Sequence, residues 1–343
     1  MSLVKNIIGA HAPAAASDGA PGVKFITVDD DGAGQRLDNF LMRHLKGVPK
    51  THLYRVIRSG EVRVNKGRAG ADSRVAAGDV VRVPPMRVSA RGQEKAQSPA
   101  PAREFPTLLE DDWLLAIDKP AGVAVHGGSG VSFGVIEQLR RARPQARFLE
   151  LVHRLDRETS GILLVAKKRS ALALLQDQFR SRETGKTYLA LVLGEWPAGK
   201  KVIDASLHKY LLAAGRDGAG ERRVKVVAKD DPDGMRAVTL VRVAQRLAGF
   251  TLLEVTIKTG RTHQIRVHLA SQGHPIAGDD KYGDFERNKL LQKKRGDAGL
   301  KRMFLHAWRL QFDHPSSGER VALLAELPPE LQRFIDHATA PQP

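Results

Sequence analysis

Apolar residues recur at helical spacing in two short segments near the start of the chain. Leu37, Phe40 and Leu41 fall at i, i+3 and i+4, and Leu53, Val56 and Ile57 repeat the interval, as one face of a helix would. Pro49 suits the first turn of the second helix, where no backbone N–H is needed. Val62 and Val64 then alternate with Glu61, Arg63 and Asn65, and Gly78 to Pro84 (GDVVRVP) alternates again, so both read as strands. Further on, Trp113–Pro120, Phe148–Leu155, Gly161–Lys168, Thr187–Glu195, Ala237–Leu247 and Phe250–Thr259 carry strand-like apolar runs. Ser170–Arg180 reads as a helix with Leu172, Leu175 and Phe179 inward, and Thr262–Ser271 as another. The short turn between Leu247 and Phe250 implies antiparallel pairing. The pattern predicts an α+β protein: a large mixed, mostly antiparallel sheet preceded by a small α/β module.

Two stretches lack periodicity and set the expected boundaries. Residues 1–22 read as an Ala/Pro/Gly-rich tail and 87–107 as a polar, proline-bearing linker. They leave a basic module at 23–86, a larger domain at 108–335 and a short tail at 336–343. No internal repeat is evident. At 343 residues, with 42% hydrophobic and 27% charged, the chain suits about two globular domains. It has no cysteine, which excludes disulfides, thiolate catalysis and Cys-ligated zinc. No apolar run approaches the roughly 20 residues of a membrane span, and the opening residues lack a signal-peptide core.

Charge sharpens the picture. There are 55 Lys and Arg against 38 Asp and Glu, a formal net charge of +17. Between Arg36 and Arg68 nine basic residues face two acidic ones. Arg36, Lys50, Arg55, Arg58, Arg63 and Lys66 therefore make a candidate phosphate-contacting face, although basic helices also occur as plain solvated surface.

The unusual chemistry lies between two apolar runs, in Leu151–Lys168 (LVHRLDRETSGILLVAKK). An acid, two guanidinium groups and two hydroxyls on one loop read as a presented site, or as a charged turn. Gly161 is expected to let the chain turn back sharply into the next strand. A second polar cluster, Thr259–Ala270 (TGRTHQIRVHLA), carries Arg261, His263, Arg266 and His268. His263 and Arg266 would share one face of a helix starting at Thr262. A carboxylate beside an arginine is favoured in its ionised form and acts as nucleophile or base, not as acid. Ordinary glycoside hydrolysis needs a second carboxyl group. Glu158, Asp118, Asp279 and Asp280 are the candidates, and none is evidently paired with Asp156. ETGKT (183–187) has Arg180 where a P-loop needs glycine, and neither H-E-x-x-H nor G-x-G-x-x-G occurs. No metal and no cofactor is inferred.

At these residues the chain resembles the RluA family of bacterial pseudouridine synthases. HRLDRETSG (153–161) is similar to the family's catalytic motif and KPAGVAVHGG (119–128) to its first motif. KTYLALVLG (186–194), GRTHQIRVHL (260–269) and GDDKYG (278–283) are similar to later segments. Residues 23–86 resemble an S4 RNA-binding domain. The resemblance implies the pseudouridine synthase fold and Asp156 as the catalytic carboxylate, acting at or near C1′ of a flipped uridine. It further implies Arg261 as the ion-pair partner of Asp156, Tyr188 against the uracil ring and Ile265 as an apolar wall. Arg154 would enter the RNA stack, and Lys186 would be structural or phosphate-facing. The implied partner is 23S ribosomal RNA or a large-subunit assembly intermediate, met by a cytoplasmic monomer without cofactor, metal or membrane. Two other readings stay open: a non-catalytic S4-bearing assembly factor, and an RNA-cleaving enzyme using His153, His263 and Lys186. A sister synthase acting on other uridines of the same RNA is also compatible.

Overall fold

The computed structural model describes residues 22–29, 32–45, 48–86, 100–127, 133–212, 221–294 and 296–339. They fall into two compact units divided between Pro99 and Ala100. The expected tail at 1–22, apart from Gly22, and most of the expected linker at 87–107 lie outside the described residues.

The first unit contains β1 (Lys24–Thr27), α1 (Leu37–His44), α2 (Lys50–Arg58), β2 (Arg63–Val64), β3 (Gly67–Arg68) and β4 (Val80–Val83). Its antiparallel sheet has the order β1-β4-β2-β3. Leu37, Phe40, Leu41, Leu53, Val56 and Ile57 are all buried against Val81 and Val83, so both helical repeats face one sheet surface. Asn65 and Lys66 turn the β2–β3 hairpin with φ of 48° and 69°, the positive values that a two-residue hairpin turn requires.

The second unit is built on an eleven-stranded sheet. In chain order its strands are β5 (Thr107–Glu110), β6 (Leu114–Lys119), β7 (Glu150–Leu151), β8 (Ser160–Ala166), β9 (Gly185–Leu193) and β10 (Val202–Leu211). There follow β11 (Arg222–Val227), β12 (Met235–Leu247), β13 (Phe250–Ile257), β14 (Leu305–Asp313) and β15 (Arg320–Leu324). The main path runs β11-β10-β12-β13-β9-β14-β8-β6-β5, with β15 on β14 and β7 on β8. Every pairing is antiparallel except β8 with β14. Helices α3 (Val135–Ala142), α4 (Arg169–Ser181), α5 (Gln264–Ser271), α6 (Phe285–Lys293) and α7 (Pro329–Thr339) complete the unit. All seven residues of β8 are buried, which is why it reads as a continuous apolar run rather than an alternating one.

Several expectations change. Phe148–Leu155 is a strand only at Glu150–Leu151; beyond Val152 the chain leaves the sheet to form the polar loop. The end of the expected linker is docked, because Phe105 is buried in a core cluster and Arg103 stacks over its ring at 4.8 Å. The expected C-terminal tail begins inside α7, where Phe334 and Ile335 anchor a helix that continues to Thr339. Gly161 does not turn the chain but lies within β8. Its φ is +108°, and a Cβ there would sit 2.3 Å from the Ala307 carbonyl oxygen. Glycine is needed because the parallel β8–β14 junction brings two backbones too close for a side chain.

Candidate active site

Asp156 sits on a turn closed by the Thr159 N–H donating to its carbonyl at 3.2 Å. The loop is tied down from beneath. Lys119, fully buried, donates from Nζ to the carbonyls of Pro120 (2.8 Å), Val123 (2.9 Å) and Arg157 (3.2 Å). Burial lowers its pKa to about 7. The Arg157 carbonyl also accepts the Gly122 N–H, and the Arg157 side chain returns a bond to the Gly122 carbonyl. Residues 119–123 are thereby fastened to the loop that carries Asp156.

A second support underlies Ser160. Arg302 Nη2 donates to Ser160 Oγ at 2.7 Å, Ser160 Oγ lies 2.9 Å from His306 Nδ1, and His306 Nε2 lies 3.0 Å from the Ala325 carbonyl. A carbonyl can only accept, so Nε2 carries the hydrogen and Ser160 donates to Nδ1. Burial lowers the pKa of His306 to about 4 and keeps this tautomer neutral.

Above these supports Asp156 borders two adjoining hollows. One is a cavity of about 110 Å³ lined by Arg154, Leu155, Asp156, Thr159, Tyr188, Ile257, Arg261, His263, Ile265, Arg266 and Leu305, among others. Among its described lining residues Asp156 is the only acid. The other, of about 420 Å³, is walled by Arg154, Arg157, Glu158, Glu221, Asp280, Lys281 and further residues. Asp156, Arg154, His263 and Arg266 belong to both.

The partner of Asp156 is Arg266, not Arg261. Arg266 Nη1 donates to Asp156 Oδ2 at 3.2 Å, while Nε and Nη2 grip Asp279 at 2.8 and 2.7 Å. Arg261 lines the same cavity, but its Nε points to the Arg236 carbonyl at 3.4 Å. The difference is local geometry. The helix expected from Thr262 starts at Gln264, because His263 has a left-handed φ of 52°. The buried Gln264 carboxamide accepts from the Arg261 N–H and from Thr259 Oγ1, and donates to Val238 and Thr239. This turn aims Arg261 outward and sends Arg266, one helical turn in, beneath the loop.

Burial opposes the charge on Asp279, yet the Arg266 pair and the N–H groups of Tyr282 and Lys281 outweigh it and lower the pKa of Asp279. Burial likewise opposes charge on Arg266, and Asp279 with Asp156 more than restores it. His263 lies 3.8 Å from Asp156 Oδ2 through Nε2, and its Nδ1 meets the Tyr282 hydroxyl at 2.7 Å. Burial lowers its pKa, so near neutral pH it is an uncharged neighbour.

Tyr188, on β9, and Ile265, on α5, line the cavity as expected; burial, and then the charge of Asp156, raise the pKa of Tyr188. Arg154 is exposed where cavity and groove meet. Lys186 lines neither hollow: it is buried, 5.2 Å over the Phe179 ring, so the phosphate-facing expectation gives way to a packing role. His153 stacks on the same ring with centroids 4.7 Å apart, and its Nε2 accepts the Leu164 N–H at 3.1 Å. Burial lowers its pKa to about 3. His153, His263 and Lys186 are therefore not assembled for RNA cleavage. Glu158 and Asp280 edge the groove, and the pKa of Asp118, on β6, is raised by burial. Sequence reasoning passed over Leu305, whose only signal was an apolar strand start, and weighed Asp279 only as a second carboxyl group rather than as the clamp on Arg266.

In the first unit Arg55 and Arg58 are exposed on α2 and Lys66 at the hairpin tip, with Arg63 half-buried. Arg36 is engaged differently: its guanidinium bonds the buried Asp38 at 2.8 and 3.2 Å, because an interior carboxylate needs a counter-charge. The side chain of Lys50 lies outside the described residues. His208, on β10, and Asp231 and Asp233, on the turn before β12, bring ligand-type atoms within 4.8 Å of one another away from both hollows. Among the described residues no helix is long and apolar enough to cross a membrane.

Residues 113–271 match the family described as RNA pseudouridylate synthase, and residues 35–81 match the S4 domain. The chain is 50% identical over 320 residues to the ribosomal large subunit pseudouridine synthase C of Pasteurella multocida, covering 91% of this chain and 93% of that protein. The proteins of the same name from Yersinia pestis and Escherichia coli K12 are 51% and 50% identical, each over 92% of this chain and 95% and 96% of theirs. Among solved structures, human RNA pseudouridylate synthase domain containing 4 aligns with a TM-score of 0.55 at 26% identity, over 68% of this chain and 92% of that one.

Proposed function

The chain belongs to the RNA pseudouridylate synthase family and is an isomerase, and from that premise we propose that its substrate is large-subunit ribosomal RNA. Support comes from relatives named for that subunit, whose identity to this chain extends over both units, and from the S4 match within a strongly basic chain. The observation that carries the chemistry is Asp156, the lone acid among the described residues lining a small cavity that adjoins a wider groove.

In this reading the target uridine leaves its stack, since neither C1′ nor the ring can be worked on inside a helix. Extrusion costs a few kcal/mol and is offset by contacts in the pocket. The uracil enters between Tyr188, Ile265 and Leu305, and Asp156 meets the sugar. The N1–C1′ bond breaks, the base turns in place, and C5 bonds to C1′. C5 gives up its proton and N1 takes one, so composition and mass are unchanged. The enclosing walls keep water from the detached base. Arg266 holds the carboxylate in position, and Arg154 fills the gap left in the RNA stack. Tyr188 and Asp156 touch substrate; Lys186 supports β9.

Mapping pseudouridine in large-subunit RNA from cells with and without this protein tests the reading. Loss of specific modified positions, with RNA of unchanged length on a denaturing gel, is expected. An unaltered map would refute the substrate assignment.

A further inference from the structure

The register of the small sheet aligns an aromatic ring and three guanidinium groups in one row. Phe25 pairs with Arg82, Arg82 with Arg63, and Arg63 with Arg68. Directly paired residues project to the same side of a sheet. Phe25, Arg82, Arg63 and Arg68 thus cross all four strands on one face. The next row, Ile26, Val81 and Val64, points to the opposite face and packs into the core. The row of arginines is therefore on the outside.

Phe25 is 67% exposed and Val80, on the same face, 39% exposed. A phenylalanine left so open on a strand has no packing purpose in the described unit. The arginines are braced without being neutralised. Arg82 Nη1 donates to the Glu61 carbonyl at 2.8 Å and Arg63 Nη1 to the Lys66 carbonyl at 3.4 Å. Arg68 folds over Gly60, whose missing side chain leaves it room, since a Cβ there would lie 2.6 Å from Arg68 Nε. Among the described residues no carboxylate forms an ion pair with any of the three. Each bond to a carbonyl uses one of five guanidinium N–H groups and leaves the rest for a ligand. The three arginines span two interstrand spacings, about 10 Å.

We propose that this outer sheet face binds a single-stranded RNA segment, with one base stacked on Phe25 and the backbone running along Arg82, Arg63 and Arg68. The inference rests on the reading that the first unit contacts RNA, and adds a surface distinct from α2. A flat aromatic beside a basic track suits unpaired nucleotides, whose base faces are free, better than a duplex, whose bases are stacked already. A neighbouring protein is the competing occupant, and the uncompensated positive charge favours the polyanion.

The test uses the full chain and a fluorescein-labelled, single-stranded oligoribonucleotide of mixed sequence, with the same sequence as a blunt duplex for comparison. Phe25→Ala should weaken single-strand binding roughly five- to a hundredfold and leave duplex binding nearly unchanged, while Phe25→Trp retains it. Replacing Arg63, Arg68 and Arg82 together by Gln should reduce the salt dependence of single-strand binding by about 2 in log–log slope. Ultraviolet cross-linking of the unaltered chain should mark the Phe25 peptide, which keeps the test independent of any variant's folding. If the sheet variants bind normally while Arg55→Gln with Arg58→Gln weakens binding, the strip is overturned and the RNA-contacting role of the unit stands. If neither set changes affinity, that role fails and the strip with it.

Discussion

Arg266 presents one guanidinium nitrogen to Asp156 and the other two to Asp279. The bidentate grip on Asp279 fixes the plane of the guanidinium, so Asp156 meets a donor already immobilised. Breaking a buried pair from one side costs about 3–5 kcal/mol, and a misplacement of an ångström can cost about a hundredfold in rate. Arg266→Met should lower turnover by about that factor or more, and Arg266→Lys should not rescue it, because an ammonium cannot span both acids. Arg261→Met should cost less. Steady-state rates on one RNA fragment rank the two, and a larger loss at Arg261 would contradict the pairing.

Asp156→Asn preserves shape and removes charge. RNA affinity should stay within about threefold, or about 0.7 kcal/mol, while tritium release from C5-labelled uridine in RNA stops. Release by the variant at the normal rate would remove Asp156 from its role.

Gly161→Ala would drive a methyl group into the Ala307 backbone at a positive φ. Strain and overpacking together should destabilise the protein by about 3 kcal/mol or more. Thermal unfolding reads the loss, and an unchanged midpoint would mean that the β8–β14 junction can open without cost.

His306 gives a pH signature. Its folded pKa is about 4, below the roughly 6.5 of an unfolded histidine. Between those values the unfolded chain binds the extra proton, so stability contributed by neutral His306 is present above about 6.5 and is lost as pH falls toward 4. The contribution to the slope is about 1.4 kcal/mol per pH unit. His306→Gln should lower stability at neutral pH and flatten the acid limb by one proton. Denaturant titrations from pH 7 to 4 compare the slopes, and parallel curves would reject the assignment.

Local pattern proved sufficient for many elements. The i, i+3, i+4 repeats of α1 and α2, the helix α4 and the apolar runs of β6, β12 and β13 lie where the side-chain pattern puts them. The runs that failed were those whose fate depends on distant partners. Phe148–Leu155 is apolar enough for a strand, yet the β8 edge pairs with only its first part. Strand β10 escaped notice because polar residues interrupt its alternation, and it is held by β11 and β12 rather than by its own pattern.

The same division runs through the site. Sequence alone determined the chemistry available: a polar loop carrying Asp156 and Glu158, an arginine- and histidine-rich turn, a tyrosine on a strand, and a basic helical module. Those are matters of residue type and short spacing, which the chain carries with it when unfolded. Only the tertiary structure decided that Arg266 rather than Arg261 meets the acid, that His153 and Lys186 pack around Phe179, and that Arg36 serves a buried aspartate. Asp156 and Arg266 are separated by 110 positions, and no local rule spans that distance. The choice falls to a left-handed residue at His263 and to the packing of α5, which set a guanidinium's direction to within an ångström.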